Sequence, residues 1–355
     1  MVVVRRLLPL FLLLPLILVG GGIAFATLSV FPAFQFADVE SDRTPAPLRD
    51  RTWTDPPSDR LWTVGTDGAE PSFLLNASSV RTGPDGTVFV LDRGDLSIKV
   101  FDAEGRFLHT VAGTRGRGPG DLVNPTDFDV DDRGRVWIAD PPNGRVSVYG
   151  PQGSGPRTLS LKRRPDRIAV PGKGGTFYLA WLTPTEDALF ARYNEDGTRV
   201  QEMGPVVENQ VERGMALDGW IDVGSDEALY YTTTRAGRLM RFGEGGNKTL
   251  DVETVDPAPL PEVIVDERGG RRVDPSASIL HMGLQVVQNA VYVYSIVPDH
   301  SEVERAFDVY DTSGRYEQSL PLPDDLADAR ITPDRIYTLT DTSLTAWVRP
   351  ESSAE

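Results

Sequence analysis

The strongest regularity in this sequence is a signal that returns six times: a turn residue, an apolar residue and then an aromatic one. The first series of aromatics consists of Phe89, Trp137, Tyr178, Tyr230, Tyr292 and Tyr337. A second aromatic follows each of them after roughly a dozen residues, and this series consists of Phe101, Tyr149, Tyr193, Phe242, Tyr310 and Trp347. The spacings within the first series are 48, 41, 52, 62 and 45 residues. A repeat of this length, rich in strand-forming residues and glycine turns, is typical of β-propeller blades.

The first two units of the repeat match each other without a gap at an offset of 48 residues. Leu74 matches Leu122, and Asp92 matches Asp140. Each unit has room for four short strands. In five units a glycine lies four residues after the second aromatic, at Gly105, Gly153, Gly197, Gly246 and Gly314. Glycine is expected there because a tight turn requires a positive φ, which other residues adopt at a cost.

The last unit, residues 327–348, ends after only three strands, so one strand is missing. The segment 60–64 (RLWTV) is a strand candidate at the other end of the repeat region and can supply it. Such an exchange would pair the exposed strand edges and close the ring. The sequence therefore predicts an all-β, six-bladed propeller of four-stranded blades over residues 60–350, closed in its last blade by an N-terminal strand, with a short tail at 351–355.

The N-terminal 34 residues have the pattern of a targeting or anchoring segment. Arg5 and Arg6 precede an uncharged run from Leu7 to Phe34, which is long enough to span a bilayer and favours export of the rest of the chain. Ala24 and Ala26 form a small-residue pattern that a signal peptidase could cut. We predict a hydrophobic N-terminal helix over 1–34. It is either an uncleaved anchor that crosses the membrane through residues 7–30 or a cleaved signal peptide.

Both alternatives place the remainder outside the cytoplasm of a bacterial cell, on the periplasmic side of the inner membrane or secreted. Residues 35–59 are polar and rich in proline, which predicts an extended linker.

The chain has a formal net charge of −16. Nucleic acid is therefore not expected as a partner, because its binding depends on neutralising phosphates with Lys and Arg. The absence of cysteine excludes disulfides and thiolate metal sites.

One stretch of the second unit carries a family resemblance. Its motif consists of Gly118-Pro119-Gly120-Asp121-Leu122, Pro125, Gly134-Arg135-Val136-Trp137-Ile138-Ala139-Asp140 and Asn143-Gly144-Arg145-Val146-Ser147-Val148-Tyr149. This motif resembles an NHL repeat, and the chain from about residue 60 to 350 is similar to the six-bladed propellers of that group. The histidine that helps to define the family is replaced here by Gly144. The resemblance implies the propeller scaffold and no particular subfamily.

The residues that end the second strand of each unit are the first candidates for a binding site. They are Asp92, Asp140, Trp181, Thr233, Ser295 and Thr340, and we refer to them as the cap column. In a propeller these positions lie around one face, near the mouth of the central channel. Asp92 and Asp140 could together hold a hard cation such as Ca²⁺. The alternative, which we favour, is that each aspartate caps the following turn by accepting backbone N–H bonds.

Two segments, 201–218 and 251–278, interrupt the rhythm of the repeat, and long loops on a rigid scaffold tend to carry binding function. Arg271 and Arg272 in the second segment are candidates for contact with an anionic ligand. The glycine-rich stretch 113–120 lacks the context of a phosphate-binding loop and is interpreted as an inter-blade connection. The three histidines, His109, His281 and His300, fall at unmatched places in their units and do not predict a zinc site.

No catalytic constellation can be named in this sequence, whereas a propeller offers a large rigid surface. The leading hypothesis is a binding or scaffold module, without assigned catalysis or cofactor, that engages a protein, peptide or glycan. The alternative is a metal-assisted lyase or hydrolase, similar to propeller lactonases, that uses carboxylates at the channel mouth.

Overall fold

The computed structural model describes residues 50–66, 71–172, 175–181, 188–205, 215–298 and 303–350. The predicted N-terminal helix (1–34), the first part of the predicted linker and the tail (351–355) lie outside these ranges. Within the described ranges no helix is long and apolar enough to cross a bilayer.

The described chain forms six four-stranded antiparallel sheets and one separate hairpin. Blade 1 consists of β2 (Ala77–Thr82), β3 (Val88–Asp92), β4 (Ser97–Phe101) and β5 (Phe107–Ala112). Blade 2 consists of β6 (Asp127–Val130), β7 (Val136–Asp140), β8 (Arg145–Tyr149) and β9 (Arg157–Ser160). Blade 3 consists of β10 (Arg167–Ala169), β11 (Thr176–Ala180), β12 (Ala188–Asn194) and β13 (Arg199–Pro205). Blade 4 consists of β14 (Gly219–Val223), β15 (Leu229–Thr233), β16 (Arg238–Phe242) and β17 (Lys248–Glu253).

The hairpin β18 (Val263–Val265) and β19 (Arg271–Val273) follows blade 4. Blade 5 consists of β20 (His281–Val287), β21 (Ala290–Ile296), β22 (Arg305–Asp311) and β23 (Tyr316–Leu322). Blade 6 consists of β24 (Asp328–Ile331), β25 (Arg335–Leu339), β26 (Leu344–Val348) and the N-terminal β1 (Arg60–Val64). The predicted six-bladed architecture is confirmed.

Ring closure also follows the prediction. β1 is the outermost strand of blade 6 and pairs antiparallel with β26, with Val64 opposite Leu344 and Trp62 opposite Ala346. The indole Nε1 of Trp62 donates to the carbonyl oxygen of Ala103 in blade 1 at 2.9 Å. The closing strand therefore connects the last blade to the first by both main-chain and side-chain contacts.

Apolar residues between neighbouring sheets hold the ring together. In the described part of the chain, six apolar clusters lie one at each junction between consecutive blades. The second and third strands of blades 1 and 2 are buried along their whole length, because each sheet is covered on both faces by its neighbours. The repeated aromatics are part of this packing, and Trp137, Tyr230 and Tyr310 are almost completely buried.

The five predicted turn glycines all adopt the left-handed backbone conformation, with φ between 75° and 89°. At Gly105 a side chain would also collide with its surroundings, since a Cβ there would lie 2.7 Å from the Trp62 ring. The glycine pattern seen in the sequence therefore reports backbone geometry, as expected.

Residues 51–54 of the predicted linker contact blade 5 at its outer strand before the chain enters β1. Trp53 forms an isolated parallel bridge with Ser319 of β23. The amide of Thr54 donates to the Ser319 carbonyl at 3.0 Å, and the Ser319 amide donates to the Thr52 carbonyl at 2.8 Å. This part of the linker is extended, and it is bound to the propeller. We call residues 50–54 the strap.

Candidate binding face and axial channel

Antiparallel pairing within every blade divides the connections between two faces. We call the face where the first strands begin the loop face, because it receives the connections between blades and between second and third strands. Among the described residues, its longest connections are 113–126 and 254–280. In the part of the chain that the structure describes, the opposite face, the turn face, carries shorter connections such as 83–87 and 102–106. Topology therefore places the long described connections on one side of the ring.

The cap column also lies on the loop face, since a second strand ends where the first strand of the same blade begins. Asp92 is completely buried. Its carboxylate accepts backbone N–H bonds from Leu75 at 2.7 Å, from Asn76 at 2.9 Å and from Gly94 at 2.9 Å. The ammonium of Lys99 donates to it at 2.9 Å. This aspartate fixes the chain that enters the blade as well as the turn that follows it.

Burial of the Asp92 carboxyl raises its pKa, but the backbone donors and Lys99 outweigh burial and hold the pKa below the usual range. Hydrogen bonds from N–H donors favour the ionised carboxylate over the neutral acid. Asp92 is thus a permanently charged structural group in the neutral range.

Asp140 repeats this arrangement in blade 2. Its carboxylate accepts from the backbone N–H groups of Val123 at 3.0 Å and Asn124 at 3.1 Å, and from Nδ2 of Asn143 at 2.7 Å. The matching residues of the sequence repeat therefore perform matching tasks. The oxygens of both aspartates are engaged by protein donors.

The other members of the cap column make contacts within or next to their own blades. The Thr233 hydroxyl accepts from the Arg238 amide at 3.0 Å, and the Thr340 hydroxyl accepts from the Ser343 amide at 3.0 Å. Ser295 is buried and donates to the Val293 carbonyl at 3.4 Å. Trp181 packs into the apolar cluster between blades 2 and 3. The structure thus brings the six residues to one face, each held by its immediate surroundings.

The connection 254–280, which we call the excursion, carries the hairpin β18–β19 and the predicted loop candidates. Arg271 and Arg272 are exposed on β19, opposite Val265 and Ile264. Exposed apolar side chains in the excursion are Leu260, Ile264, Val265 and Ile279. Large exposed apolar residues next to arginine are typical of surfaces that contact partners.

A second polar group lies on the first strands, around the central channel, and it was not predicted from the sequence. It consists of Arg81, Asp127, Asp129, Asp222, Asp328 and Arg330, and we call it the channel cluster. Charged residues in short strands are unusual, and this was the signal available in the sequence. Arg81 of blade 1 interacts electrostatically with Asp222 of blade 4. Because these blades face each other across the ring, the cluster extends across the channel.

Three aspartates of the channel cluster use one geometry to join consecutive blades. Asp129 accepts from the amide of Val170 in blade 3 at 2.7 Å. Asp222 accepts from the amide of Val286 in blade 5 at 2.7 Å, and Asp328 accepts from the amide of Val80 in blade 1 at 2.9 Å. Each also accepts from the amide that follows it in its own strand. The first strand of each following blade is an edge strand, so these bonds satisfy donors that no strand pairs.

The remaining three junctions are joined by other polar contacts. Arg81 donates to Asp127 of blade 2 at 2.7 Å, and the guanidinium of Arg167 lies 3.9 Å from the centre of the Trp220 ring in blade 4. Gln285 of blade 5 accepts from the Ile331 amide of blade 6 at 2.8 Å. Every consecutive pair of first strands is therefore linked by at least one side chain.

The crowding of carboxylates changes their acidity. Burial and the charge of Asp222 raise the pKa of Asp129 to about 7, although Arg81 and Arg330 act in the opposite direction. Burial also raises the pKa of Asp222 and that of Asp328. Around pH 7 the channel cluster can therefore take up or release a proton.

The glycine-rich stretch 113–120 and His281 are both held by hydrogen bonds to neighbouring parts of the protein. In the glycine-rich stretch, Arg145 donates to the Gly118 carbonyl at 2.8 Å and Asn143 donates to the Gly116 carbonyl at 3.1 Å, so the stretch is tied to blade 2. His281 is buried, with Nδ1 2.7 Å from the Thr233 carbonyl. His300 lies outside the described residues. Among the residues that are described, no three His, Cys, Asp or Glu side chains are placed so that they could hold a metal ion.

An open groove of about 850 Å³ lies between blades 1 and 2 on the turn-face side. Its lining includes Asp85, Leu108, His109 and Arg133. Burial lowers the pKa of His109, so this imidazole is neutral at pH 7. The groove lies on the face opposite the excursion.

Comparison with known proteins supports the architecture. A family model described as a 6-bladed beta-propeller matches residues 72–163. No curated protein sequence matches the chain. The structure is similar to that of a putative exported protein from Bacteroides fragilis (14% identity, 85% of this chain, 99% of the other, TM-score 0.55). It is also similar to a streptogramin B lyase (14% identity, 81% of this chain, 99% of the other, TM-score 0.52). A third similar structure is virginiamycin B lyase from Staphylococcus aureus (10% identity, 82% of this chain, 100% of the other, TM-score 0.51).

At these identities the similarity concerns the fold alone. The chain is a six-bladed β-propeller, and the family match together with the blade count establishes this class. The more specific resemblance to NHL-repeat proteins stays a prediction.

Proposed function

We propose that this protein is an extracytoplasmic, membrane-tethered or secreted binding propeller that engages a protein, peptide or glycan ligand on its loop face. The observation that supports the proposal is topological: the excursion and the whole cap column belong to this one face. Propellers use such connections for recognition because the scaffold underneath is rigid. The location outside the cytoplasm rests on the targeting pattern of residues 1–34.

The excursion supports the proposal most directly. It places exposed apolar side chains and two arginines at the loop face. The ligand is therefore expected to contact the excursion, with Arg271 and Arg272 favouring an anionic or carboxylate-bearing group.

The metal-assisted alternative gains no specific support from the site. It requires carboxylate oxygens at the channel mouth that can accept a cation, and the oxygens of Asp92 and Asp140 are already engaged by backbone and side-chain donors. Their observed contacts favour the capping role.

The test is a binding measurement on the purified full-length protein, screened against glycan and peptide arrays. Any ligand found is then titrated against the double variant Arg271→Ala/Arg272→Ala. The matched control is Arg106→Ala/Arg315→Ala, which removes two arginines from turns on the turn face. We expect affinity to fall at least about tenfold for the first variant only. Loss of binding in the control alone would place the ligand on the wrong face for this proposal.

A second measurement addresses the alternative function. The protein is incubated with Ca²⁺ or Mn²⁺ and lactone or cyclic ester substrates, and turnover is compared with that of Asp140→Asn. We expect no turnover that depends on Asp140. Metal-dependent turnover lost in this variant would favour the lyase or hydrolase.

A further inference from the structure

The strap contains a buried arginine that joins two separate parts of the ring. The Arg51 side chain is only 5% exposed, and it contacts Asp256 and Asp308, which are 3% and 1% exposed. Its Nε donates to Asp308 Oδ1 at 3.0 Å and its Nη2 to Asp308 Oδ2 at 3.1 Å. Its Nη1 donates to Asp256 Oδ1 at 3.1 Å, and Nη2 also donates to Asp256 Oδ2. One guanidinium thus bridges two carboxylates, each held at two oxygens.

The two carboxylates come from different blades and are held by different contacts. Asp308 lies within β22 of blade 5 and accepts from the hydroxyl of Ser319 at 2.5 Å, so strand pairing holds it in place. Asp256 lies just after β17 of blade 4, at the base of the excursion. The amide of the preceding Val255 donates to the hydroxyl of Tyr310 at 3.0 Å. The base of the excursion is therefore fixed by blade 5 and by the strap.

Without the arginine this arrangement would be electrostatically unfavourable. Burial raises the pKa of Asp256, the charge of Asp308 raises it further, and Arg51 opposes both effects. Two buried carboxylates with no cation between them repel each other and lose their solvation. The guanidinium is also the side chain whose planar, multiple donors suit a double carboxylate site.

We propose that Arg51 is a lock, through which the N-terminal strap controls the conformation of the ligand-facing excursion. The segment that precedes the propeller is thereby coupled to the loop face: when the strap is seated, the base of the excursion is ordered, and when it leaves, the base is released. The proposal rests on the proposed function only in assigning the excursion to ligand contact.

The first test is hydrogen exchange of the full-length protein, comparing wild type with Arg51→Ala. We expect peptides covering 254–262 and 316–322 to exchange about tenfold faster in the variant, because their local opening free energy falls. Peptides from blades 1 and 2, such as 88–101, should be unchanged. The matched control is Arg106→Ala, whose side chain is 75% exposed in its ion pair with Asp102. Unchanged exchange at 254–262 in Arg51→Ala would refute the lock.

The second test is chemical rescue, which a merely destabilising substitution would not show. Guanidinium at low millimolar concentration should restore slow exchange at 254–262 in Arg51→Ala, whereas sodium chloride at the same ionic strength should not, since only guanidinium can occupy the double carboxylate site. If Arg51→Ala does not fold, Arg51→Lys is used. The single ammonium of the lysine is expected to protect residues 254–262 only partly from hydrogen exchange. Protection equal to that of wild type in this variant would overturn the proposal.

The two proposals can fail separately. If no ligand binding is lost in the loop-face variant while the exchange and rescue results are as expected, the Arg51 lock stands and the proposal of ligand binding on the loop face fails. If ligand binding maps to the excursion but exchange at 254–262 is insensitive to Arg51, the binding proposal stands and the lock fails.

Discussion

The cap column and the channel cluster both use carboxylates to hold backbone N–H groups, yet their electrostatic situations are opposite. Asp92 bonds segments of its own blade, and although burial raises its pKa, the backbone N–H donors and the neighbouring Lys99 outweigh burial and lower it. Asp129 bonds the next blade, and its burial together with the charge of Asp222 raises its pKa. The difference shows that a carboxylate within one blade can have its charge neutralised by a cation of the same blade. The six first strands converge on one axis, and this brings like charges from different blades close together.

The largest expected effect is that of Asp92→Ala. The variant leaves three backbone donors without an acceptor and buries Lys99 with only the half-exposed Asp95 for a partner. We expect a loss of about 3–5 kcal/mol in the free energy of unfolding, measured by urea denaturation. The control, Glu104→Ala, removes a carboxylate that is 64% exposed and should change stability very little. A loss below that of the control would mean that the cap column is not structural.

The next effect is that of Asp328→Ala, which removes a link between blades 6 and 1. The Val80 amide loses its acceptor and Arg81 loses one of its two carboxylate partners, while Asp127 remains. We expect a loss of about 2–3 kcal/mol in the free energy of unfolding. Asp334→Ala, at a position 73% exposed, is the matched control. If Asp328→Ala proved more damaging than Asp92→Ala, links between blades would matter more than links within them.

The pH dependence of stability separates the two groups of carboxylates. The folded-state pKa of Asp129, about 7, lies above its unfolded value, so its favourable contribution is complete below about pH 4 and is lost as the pH rises through 7. Wild type should therefore become more stable relative to Asp129→Asn as the pH falls from 8 to 5, by about 1 kcal/mol or more. The measurement is urea denaturation of both proteins at each pH. A constant difference would show that Asp129 is not perturbed.

Asp92 should respond with the opposite sign and in another range. Its folded-state pKa is lowered, so its contribution is present above the unfolded pKa of about 3.9 and disappears as the pH falls through the folded value. The advantage of wild type over Asp92→Ala should therefore be constant between pH 5 and 8 and should shrink below pH 4. A change of this advantage near pH 7 would contradict the assignment of a permanently charged group.

The smallest effect is expected within the cap column itself. Ser295 makes one long bond of 3.4 Å to the Val293 carbonyl, so Ser295→Ala should change the free energy of unfolding by less than about 0.5 kcal/mol. Thermal denaturation can measure the difference. A large loss would show that position 295 has a task equal to that of Asp92 in blade 1.

Much of this architecture was accessible from the sequence because it depends on local and repeated signals. The aromatic spacing gave the number of blades, the glycines gave the tight turns, and the missing fourth strand of the last unit pointed to residues 60–64. The equivalence of Asp92 and Asp140 predicted equivalent capping, which the hydrogen bonds show. Each of these signals is a property of one strand or one turn.

Other features depend on residues that are far apart in the chain. Arg51 meets Asp308 across 257 positions, and Val80 meets Asp328 across 248. The sequence by itself determined a closed ring of six repeated units, since periodicity and turn chemistry act locally along the chain. Only the tertiary structure decided that the excursion and the cap column share one face, that the channel is crossed by charges and that an arginine joins the strap to the excursion. Closing the ring brings together groups that no local pattern relates.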